Sequence, residues 1–472
     1  MKSIALVGAG LVGSLLAMML AKRGFSVQVY ERRADMRKEE ISAGRSINLA
    51  ISTRGINALA LVGLDKEVLA QAIPMRGRMI HSLTGSLTFQ PYGSSEDEYI
   101  NSISRATLNK ILMSGAQATG KVAIEFNSKV AAIDFETGGV TVHDEHSGEQ
   151  TIHHHDLVIG TDGSASAIRQ AMLALPGYTS SDHMLDYGYK ELTILPGAGN
   201  TFKLERNALH IWPRGTFMLI ALPNFEGSFT CTLFLPMEGA LSFQHLETSE
   251  QISRFFSEQF PDAVNLIDNL IDTFKTNPTG RMVTVKCFPW HVGDKALLMG
   301  DAAHGIVPFF GQGMNCGFED CTAFSQCLDG ESAANVDWQR LFSSFAKMRK
   351  DNTDAIADMA VENFVEMRDK VADARFLMRK AAEKVLQQEF PDRYVSRYSL
   401  VTFTNVPYKV AEQAGRISDE ILDTLCAGLD DADKIDRQMA SALIETKLAP
   451  ILAGHGPELA ALIKMRTSAA SR

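Results

Sequence analysis

Three observations predict an α/β fold in which an antiparallel sheet is interleaved and helices follow. A strand–turn–helix–strand unit fills the first thirty residues, β-rich stretches occupy positions 183 to 236, and the composition after Val336 is almost wholly helical. With 472 residues the chain exceeds what one core usually serves, so two or three domains are expected. No internal repeat, low-complexity tract or Pro/Ser linker separates them, which predicts domains interleaved in sequence. A composition 45% hydrophobic and 22% charged is that of a soluble globular protein, and a net charge of −10 gives no support to nucleic acid or anionic membrane as a partner.

Each element has its own local reason. Ile4-Ala-Leu-Val7 and Val27-Gln-Val-Tyr30 read as buried strands, and Ser14 to Arg23 as the helix between them. The uncharged run from Ser3 to Ala21, 19 residues, is long enough to imitate a signal peptide or membrane helix, but glycines at 8, 10 and 13 interrupt it. Residues 53 to 72 and 105 to 118 read as helical, and Met75 to Phe89 as a hairpin with Thr84-Gly85 at its tip. Tyr187 to Ile194, Ala208 to Trp212, Phe217 to Leu222 and Ser228 to Leu235 read as strands of an antiparallel sheet, with Pro, Gly or Asn between most of them. Ala296-Leu-Leu-Met299 returns to a buried-strand pattern. Met439 to Arg472, broken by Glu445, Lys447, His455, Glu458 and Lys464, reads as amphipathic helix and not as a membrane span. The six cysteines, at 231, 287, 316, 321, 327 and 426, form no Cys-x-x-Cys pair and suit neither a zinc site nor a disulfide framework; reduced thiols of a cytoplasmic protein are expected.

Gly8-x-Gly10-x-x-Gly13 stands directly after a strand and opens a helix. There the first glycine permits the tight turn, the second lets backbone amides approach phosphate, and the third lets helix pack on strand. The helix N-terminus adds partial positive charge for a diphosphate. Glu31 follows 18 residues past Gly13, at the end of the second strand, placed to accept hydrogen bonds from a ribose. Strand, helix and terminal acid together predict nucleotide binding, without distinguishing FAD from NAD(P).

Two later motifs make that distinction. Gly300-Asp301-Ala302-Ala303-His304, then Pro308-Phe309-Phe310-Gly311-Gln312-Gly313-Met314-Asn315, resembles the second FAD fingerprint of the aromatic-hydroxylase flavoproteins. The resemblance implies that Asp301 contacts the FAD ribityl chain and that the helix starting near Gly313 aims its N-terminus at the flavin pyrimidine. That dipole favours negative charge on a reduced flavin. Gly160-Thr-Asp162-Gly163 is similar to the Asp-Gly motif serving FAD and NAD(P)H in the same family, where Ala165 replaces a frequent aromatic. With Arg105, the landmarks of a single-component (group A) flavin monooxygenase stand in order across residues 8 to 315. The implied fold is a Rossmann-type FAD-binding domain with an interleaved antiparallel β-sheet substrate domain and a C-terminal helical region. The implied cofactor-binding positions are Gly8, Gly10, Val12, Gly13, Tyr30, Glu31, Arg32, Arg33, Ala50, Arg105, Val130, Asp162, Gly300, Asp301, Gly313, Met314 and Asn315.

A narrower resemblance covers nearly the whole chain. Gly44-Arg-Ser-Ile-Asn-Leu-Ala50, Arg78-Met-Ile-His-Ser-Leu, Pro91-Tyr92-Gly93, Pro308 to Asp320, Glu362 to Arg368 and Tyr398 to Phe403 are similar to the kynurenine 3-monooxygenases. It implies that Arg78 and Tyr92 bind the carboxylate of an amino-acid substrate, and that Asn363, Met367 and Tyr398 line its pocket; Phe309-Phe310 could be core packing, but their place before the flavin loop suggests a wall of that pocket. Guanidinium suits a carboxylate because its planar fork can bond both oxygens. Glu366, three residues from Asn363 on the same helical face, could meet the substrate's ammonium or aniline nitrogen. Taken singly, Arg78 reads as a surface hairpin charge and Tyr92 as loop filler. The histidine run 153 to 155 alternates faces in a strand and lacks the carboxylates or cysteines of a metal site, so no metal is expected. Cys316, Cys321 and Cys327 read as small core residues of one helix.

The resemblance implies hydroxylation of L-kynurenine to 3-hydroxy-L-kynurenine in tryptophan catabolism, with FAD as cofactor and NADPH and O2 as co-substrates, through a C4a-hydroperoxyflavin. No side chain need then act as a catalytic group. The expected FAD-binding domain is discontinuous, over 1–75, 100–180 and 280–330; the substrate sheet covers 76–99 and 181–279, and the helical domain 331–472. Neither nucleic acid nor a membrane anchor is expected, and the oligomeric state, a homodimer included, stays open. A hydroxylase of another aromatic acid, a flavin reductase or oxidase, and a non-catalytic flavoprotein are the alternative readings.

Overall fold

The structure, a computed structural model, describes residues 3–38, 48–369 and 374–470. Its centre is a six-stranded sheet in the order His291–Val292, Ala296–Leu298, Leu157–Gly160, Ser3–Val7, Ser26–Tyr30, Val122–Glu125. All neighbours run parallel except the short edge strand His291–Val292. Parallel strands buried on both faces need continuous apolar sequence, and Ile4, Ala5, Leu6, Leu157, Val158 and Ile159 are all fully buried. The helices Leu11–Lys22, Arg105–Ala118 and Gly313–Cys327 pack in the same core.

The interleaved sheet has seven strands, ordered Gly280–Phe288, Thr179–Ile194, Phe229–Pro236, Met218–Pro223, Ala208–Pro213, Gly77–His81, Leu87–Pro91. The expected hairpin forms its far edge, with Arg78 opposite Gln90, and the four expected strands lie at its centre. Gly280–Phe288, read as part of no strand in the sequence, is the opposite edge, paired antiparallel with Thr179–Ile194. The helical reading of 53 to 72 divides into Thr53–Val62 and Asp65–Ala70 at Gly63, where φ is 80°.

One face of this sheet packs on Phe255 and Phe256 of the helix Ser249–Gln259 and on Phe260 just past it. The other faces the C-terminal helices, and Ile211, Met218 and Phe234 share a core with Phe364, Tyr394 and Leu400. These helices include Trp338–Asp369, Ala374–Glu389, Arg397–Phe403, Tyr408–Leu425 and Gly456–Ala470. Among the described residues no helix is long and apolar enough to cross a membrane. The cleft between sheet, dinucleotide fold and C-terminal helices is where the site lies.

Candidate functional site

A cavity of about 670 Å³ is lined by the glycine-rich turn, the Gly300–Met314 segment, the interleaved sheet and Tyr398 of the C-terminal helices. That volume is in the range of ordinary ligand pockets. Gly8, Gly10, Val12, Tyr30, Glu31, Arg32, Arg33, Ala50, Arg105, Val130, Asp162, Asp301, Gly313 and Met314 all line it, as do Arg78, Tyr92, Phe309 and Tyr398.

At the dinucleotide end, packing dictates the glycines. A Cβ on Gly13 would stand 2.1 Å from the Gly8 carbonyl oxygen and 2.6 Å from Thr161 Oγ1, so helix and strand could not approach as they do. At Gly10 a Cβ would meet nothing within 4 Å; that face opens into the cavity and admits a ligand against bare backbone. Glu31 is buried, accepts the Ala9 amide at 2.9 Å and pairs with Arg33 at 2.7 Å. Burial alone would raise its carboxyl, but the Arg33 contacts prevail and hold it below the usual range. Asp162 also faces the cavity; Oδ2 accepts the Ala167 amide at 2.7 Å, whereas Oδ1 is buried without a hydrogen-bond partner. Burial raises its carboxyl above 3.8. A buried acceptor aimed at a cavity fits a ligand bearing hydroxyl groups.

The second motif rests on a buried ion network. Asp320 Oδ2 accepts the Gly300 amide at 3.1 Å and bonds His304 Nε2 at 2.5 Å, while Oδ1 accepts Arg349 Nε at 2.7 Å. Arg349 continues to Glu319 at 2.7 Å, and Glu319 pairs with Arg54, whose Nε donates to the Val401 carbonyl at 3.1 Å. Burial would neutralise these acids, but the adjacent cations outweigh it and hold Asp320 and Glu319 below their ordinary values. His304, Cys316 and Asp320 bring ligand-type atoms within 4.8 Å of one another. The charge of that carboxylate is met by His304 and Arg349. The helix Gly313–Cys327 starts at the cavity, with Gly313 and Met314 in its lining.

At the far end the lining changes character. The Arg78 guanidinium carbon lies 5.3 Å from the Tyr92 ring centre and 5.2 Å from that of Tyr398. Burial raises both phenols above 10.0, with the Arg78 charge opposing, so they are neutral hydrogen-bond donors at ordinary pH. Among the described residues no carboxylate pairs with Arg78, which leaves a half-buried cation beside two phenols. Phe309, Phe310, Phe234, Met218 and Leu222 supply an apolar wall beside it. Phe309 stacks on Phe364 at 4.2 Å between ring centres.

Several positions named from the sequence stand behind the lining. Gly13 and Gly300 shape backbone, and Gly300 φ is 59°. Asn315 is fully buried; its amide accepts from Ser52 N at 3.0 Å and donates to the carbonyls of Ala50 and Gly311 at 2.9 and 3.0 Å, bracing the cavity wall. Asn363 Nδ2 donates to the Phe309 carbonyl at 2.7 Å, so it acts on that wall through Phe309. Glu366 lies near Lys380 at 3.5 Å and Arg397 at 3.8 Å and is not in the lining. The Met367 side chain and residues 44–47 of the resemblance lie outside the described ones. Of the histidine run, His155 bonds Ser3 Oγ at 2.8 Å and Tyr30 Oη at 2.9 Å, ordinary packing beneath the second strand. Arg54, Asp320 and Arg349 were not singled out in the sequence; Arg54 is a basic residue inside an apolar-periodic helix, the one local hint.

The sequence matches the family described as FAD binding domain over residues 1–329. It is 56% identical over 453 residues to a kynurenine 3-monooxygenase of Myxococcus xanthus (strain DK1622), covering 96% of this chain and 97% of that one. It is 44% identical to a kynurenine 3-monooxygenase of Dictyostelium discoideum, covering 95% of this chain and 98% of that one. The fold resembles the tetrameric form of 2-methyl-3-hydroxypyridine-5-carboxylic acid oxygenase, with a TM-score of 0.63 at 20% identity, over 82% of this chain and 97% of that one.

Proposed function

We propose that this chain, which belongs to the kynurenine 3-monooxygenase family, hydroxylates L-kynurenine to 3-hydroxy-L-kynurenine with FAD, NADPH and O2. One observation carries the substrate reading: a cation beside a stacked pair of phenols lines the same cavity that the dinucleotide motifs open.

The residues present fit FAD. The open face at Gly10 and the start of helix Leu11–Lys22 would take the diphosphate, Glu31 a ribose, and Asp162 and Asp301 hydroxyl or amide groups further along. Gly313 and Met314, at a helix N-terminus, would face the flavin ring, where the helix dipole favours negative charge. When bound, FAD supplies the redox and oxygen-transfer chemistry, with electrons from NADPH.

The protein's part is placement. Arg78 would bond the substrate's α-carboxylate, and Tyr92 and Tyr398 would donate their hydroxyls to it. Anchored there, the aromatic ring of the substrate would lie along the Phe309–Phe310 wall, towards Gly313. That wall excludes water from the reacting ring. The cytoplasm is the compartment we assign, because all six cysteines are free.

The test is turnover of L-kynurenine with NADPH under isotopically labelled O2. The heavy isotope should appear in a hydroxylated product. A product free of label, or unchanged kynurenine beside consumed NADPH, overturns the proposal.

A further inference from the structure

Deep behind Tyr92 and Tyr398, outside the cavity lining, lies a second charged cluster. Glu98 and Arg466 have side chains 0% and 1% exposed, and they meet in a two-pronged pair. Arg466 Nε donates to Glu98 Oε1 at 3.0 Å and Nη2 to Oε2 at 2.8 Å. The two residues are 368 positions apart, so the pair ties the C-terminal helix Gly456–Ala470 to the loop after Tyr92.

The remaining bonds show what it holds. Glu98 Oε1 accepts the amides of Ser94 and Ser95 at 3.0 and 3.1 Å, which fixes the turn that Tyr92 enters. A Cβ on Gly93 would stand 2.2 Å from Glu98 Oε2, so the loop closes on the carboxylate with no room for a side chain. On the other side, Arg466 Nη2 donates to Ser399 Oγ at 2.9 Å, and Ser399 Oγ donates to Glu98 Oε2 at 3.3 Å. Ser399 is the neighbour of Tyr398. Arg466 also reaches the Tyr394 carbonyl at 3.3 Å and Gln387 at 3.0 Å. One guanidinium–carboxylate pair therefore bonds both the loop that follows Tyr92, at Ser94 and Ser95, and Ser399, the residue next to Tyr398.

We infer that Glu98 and Arg466 are positioning residues for substrate recognition: together with Ser399 they set the spacing of Tyr92 and Tyr398 around the substrate's carboxylate. The inference rests on the reading that Arg78, Tyr92 and Tyr398 receive that carboxylate. A buried ion pair contributes little net stability against apolar replacements of similar volume, so its value lies in fixing geometry. Small misplacement of a binding group costs affinity or rate by up to about a hundredfold. The effect should fall on the amino-acid end of the substrate and leave the dinucleotide end untouched.

The experiment compares wild type, Arg466→Lys, the neutral pair Glu98→Gln/Arg466→Met, and Arg78→Met, each loaded with FAD. Dissociation constants are measured for L-kynurenine and for its amine analogue lacking the carboxylate. FAD content and thermal unfolding serve as folding checks. The neutral pair leaves no unpaired buried charge, so it keeps the test open if a single substitution fails to fold. The expected result is L-kynurenine binding weakened about tenfold or more in the neutral pair, with the amine analogue bound as in wild type and FAD content unchanged. Arg466→Lys should restore part of the loss. Equal weakening of both ligands would reduce the pair to general stability and overturn the inference. So would unchanged kynurenine binding in the neutral pair while Arg78→Met abolishes it. If Arg78→Met itself binds L-kynurenine normally, the reading of the carboxylate site has failed, and the inference falls with it by a distinct result.

Discussion

The rings of Tyr92 and Tyr398 stack with centres 5.5 Å apart and planes 11° apart, and Arg78 lies within 5.3 Å of both centres. The two tyrosines come from segments about three hundred positions apart in sequence. A cation held this way is pre-organised: its position is set before an anion arrives, so little freedom is lost on binding.

Replacing Arg78 with Met should weaken L-kynurenine binding by about 2–5 kcal/mol, the usual cost of removing one partner of a buried charged hydrogen-bond pair. FAD content should stay at the wild-type level, because Arg78 is at the far end of the cavity from the glycine-rich turn. Titration of flavin fluorescence with L-kynurenine measures the first, and absorbance of the purified protein the second.

Gly13→Ala should destabilise the protein by about 1–3 kcal/mol, or more, through overpacking. The new methyl would press on backbone at 2.1 Å, which cannot swing aside as a side chain could. Denaturant unfolding of the flavin-free protein should show the loss, since the clash requires no cofactor.

Glu31→Gln should lower FAD affinity by about 1.5–3 kcal/mol, the net value of hydrogen bonds to a charged group. The carboxylate would be replaced by an amide, and Arg33 would lose its ionic partner at 2.7 Å. Retention of FAD through dialysis, compared with wild type, reads the change directly.

The His304–Asp320 pair predicts a plateau in stability against pH. Asp320 is held below 3.8, so its contribution is complete above that value and is lost as pH falls through the lower folded value. For His304, burial disfavours the charged ring, but Asp320 prevails and raises it well above 6.5; its contribution is complete below 6.5 and is lost as pH rises towards the folded value. Asp320→Asn should cost about 3–5 kcal/mol at neutral pH, because His304 and Arg349 lose a buried partner. His304→Gln should flatten the alkaline slope. Urea unfolding at a series of pH values measures both, and an alkaline slope retained in His304→Gln would remove the pair from the explanation.

Local features were legible in the sequence, and long-range ones were not. The βαβ unit, the hairpin carrying Arg78 and the Gly300–Met314 segment were readable because turn residues and periodicity specify them over a few neighbours. The cavity brings Glu31, Asp162, Asp301 and Arg78 to one space, as their motifs implied. The edge strand Gly280–Phe288 was missed because only its partner Thr179–Ile194, a hundred or so positions away, makes it a sheet edge. Arg54, Arg349 and Arg466 are buried only through tertiary contacts, across about thirty positions for Arg349 and more than three hundred for Arg54 and Arg466. Asn363 and Glu366 share a helix face as expected, yet that face bears on the Phe309 backbone and on Lys380 and Arg397.

The most direct measurement is NADPH oxidation by the FAD-loaded protein with and without L-kynurenine, with the product identified by mass. The predicted result is oxidation strongly stimulated by L-kynurenine, a product one oxygen heavier, and loss of the stimulation in Arg78→Met. FAD bound and protein folded, but oxidation indifferent to L-kynurenine, would contradict the assignment of the Arg78–Tyr92–Tyr398 end of the cavity to this substrate.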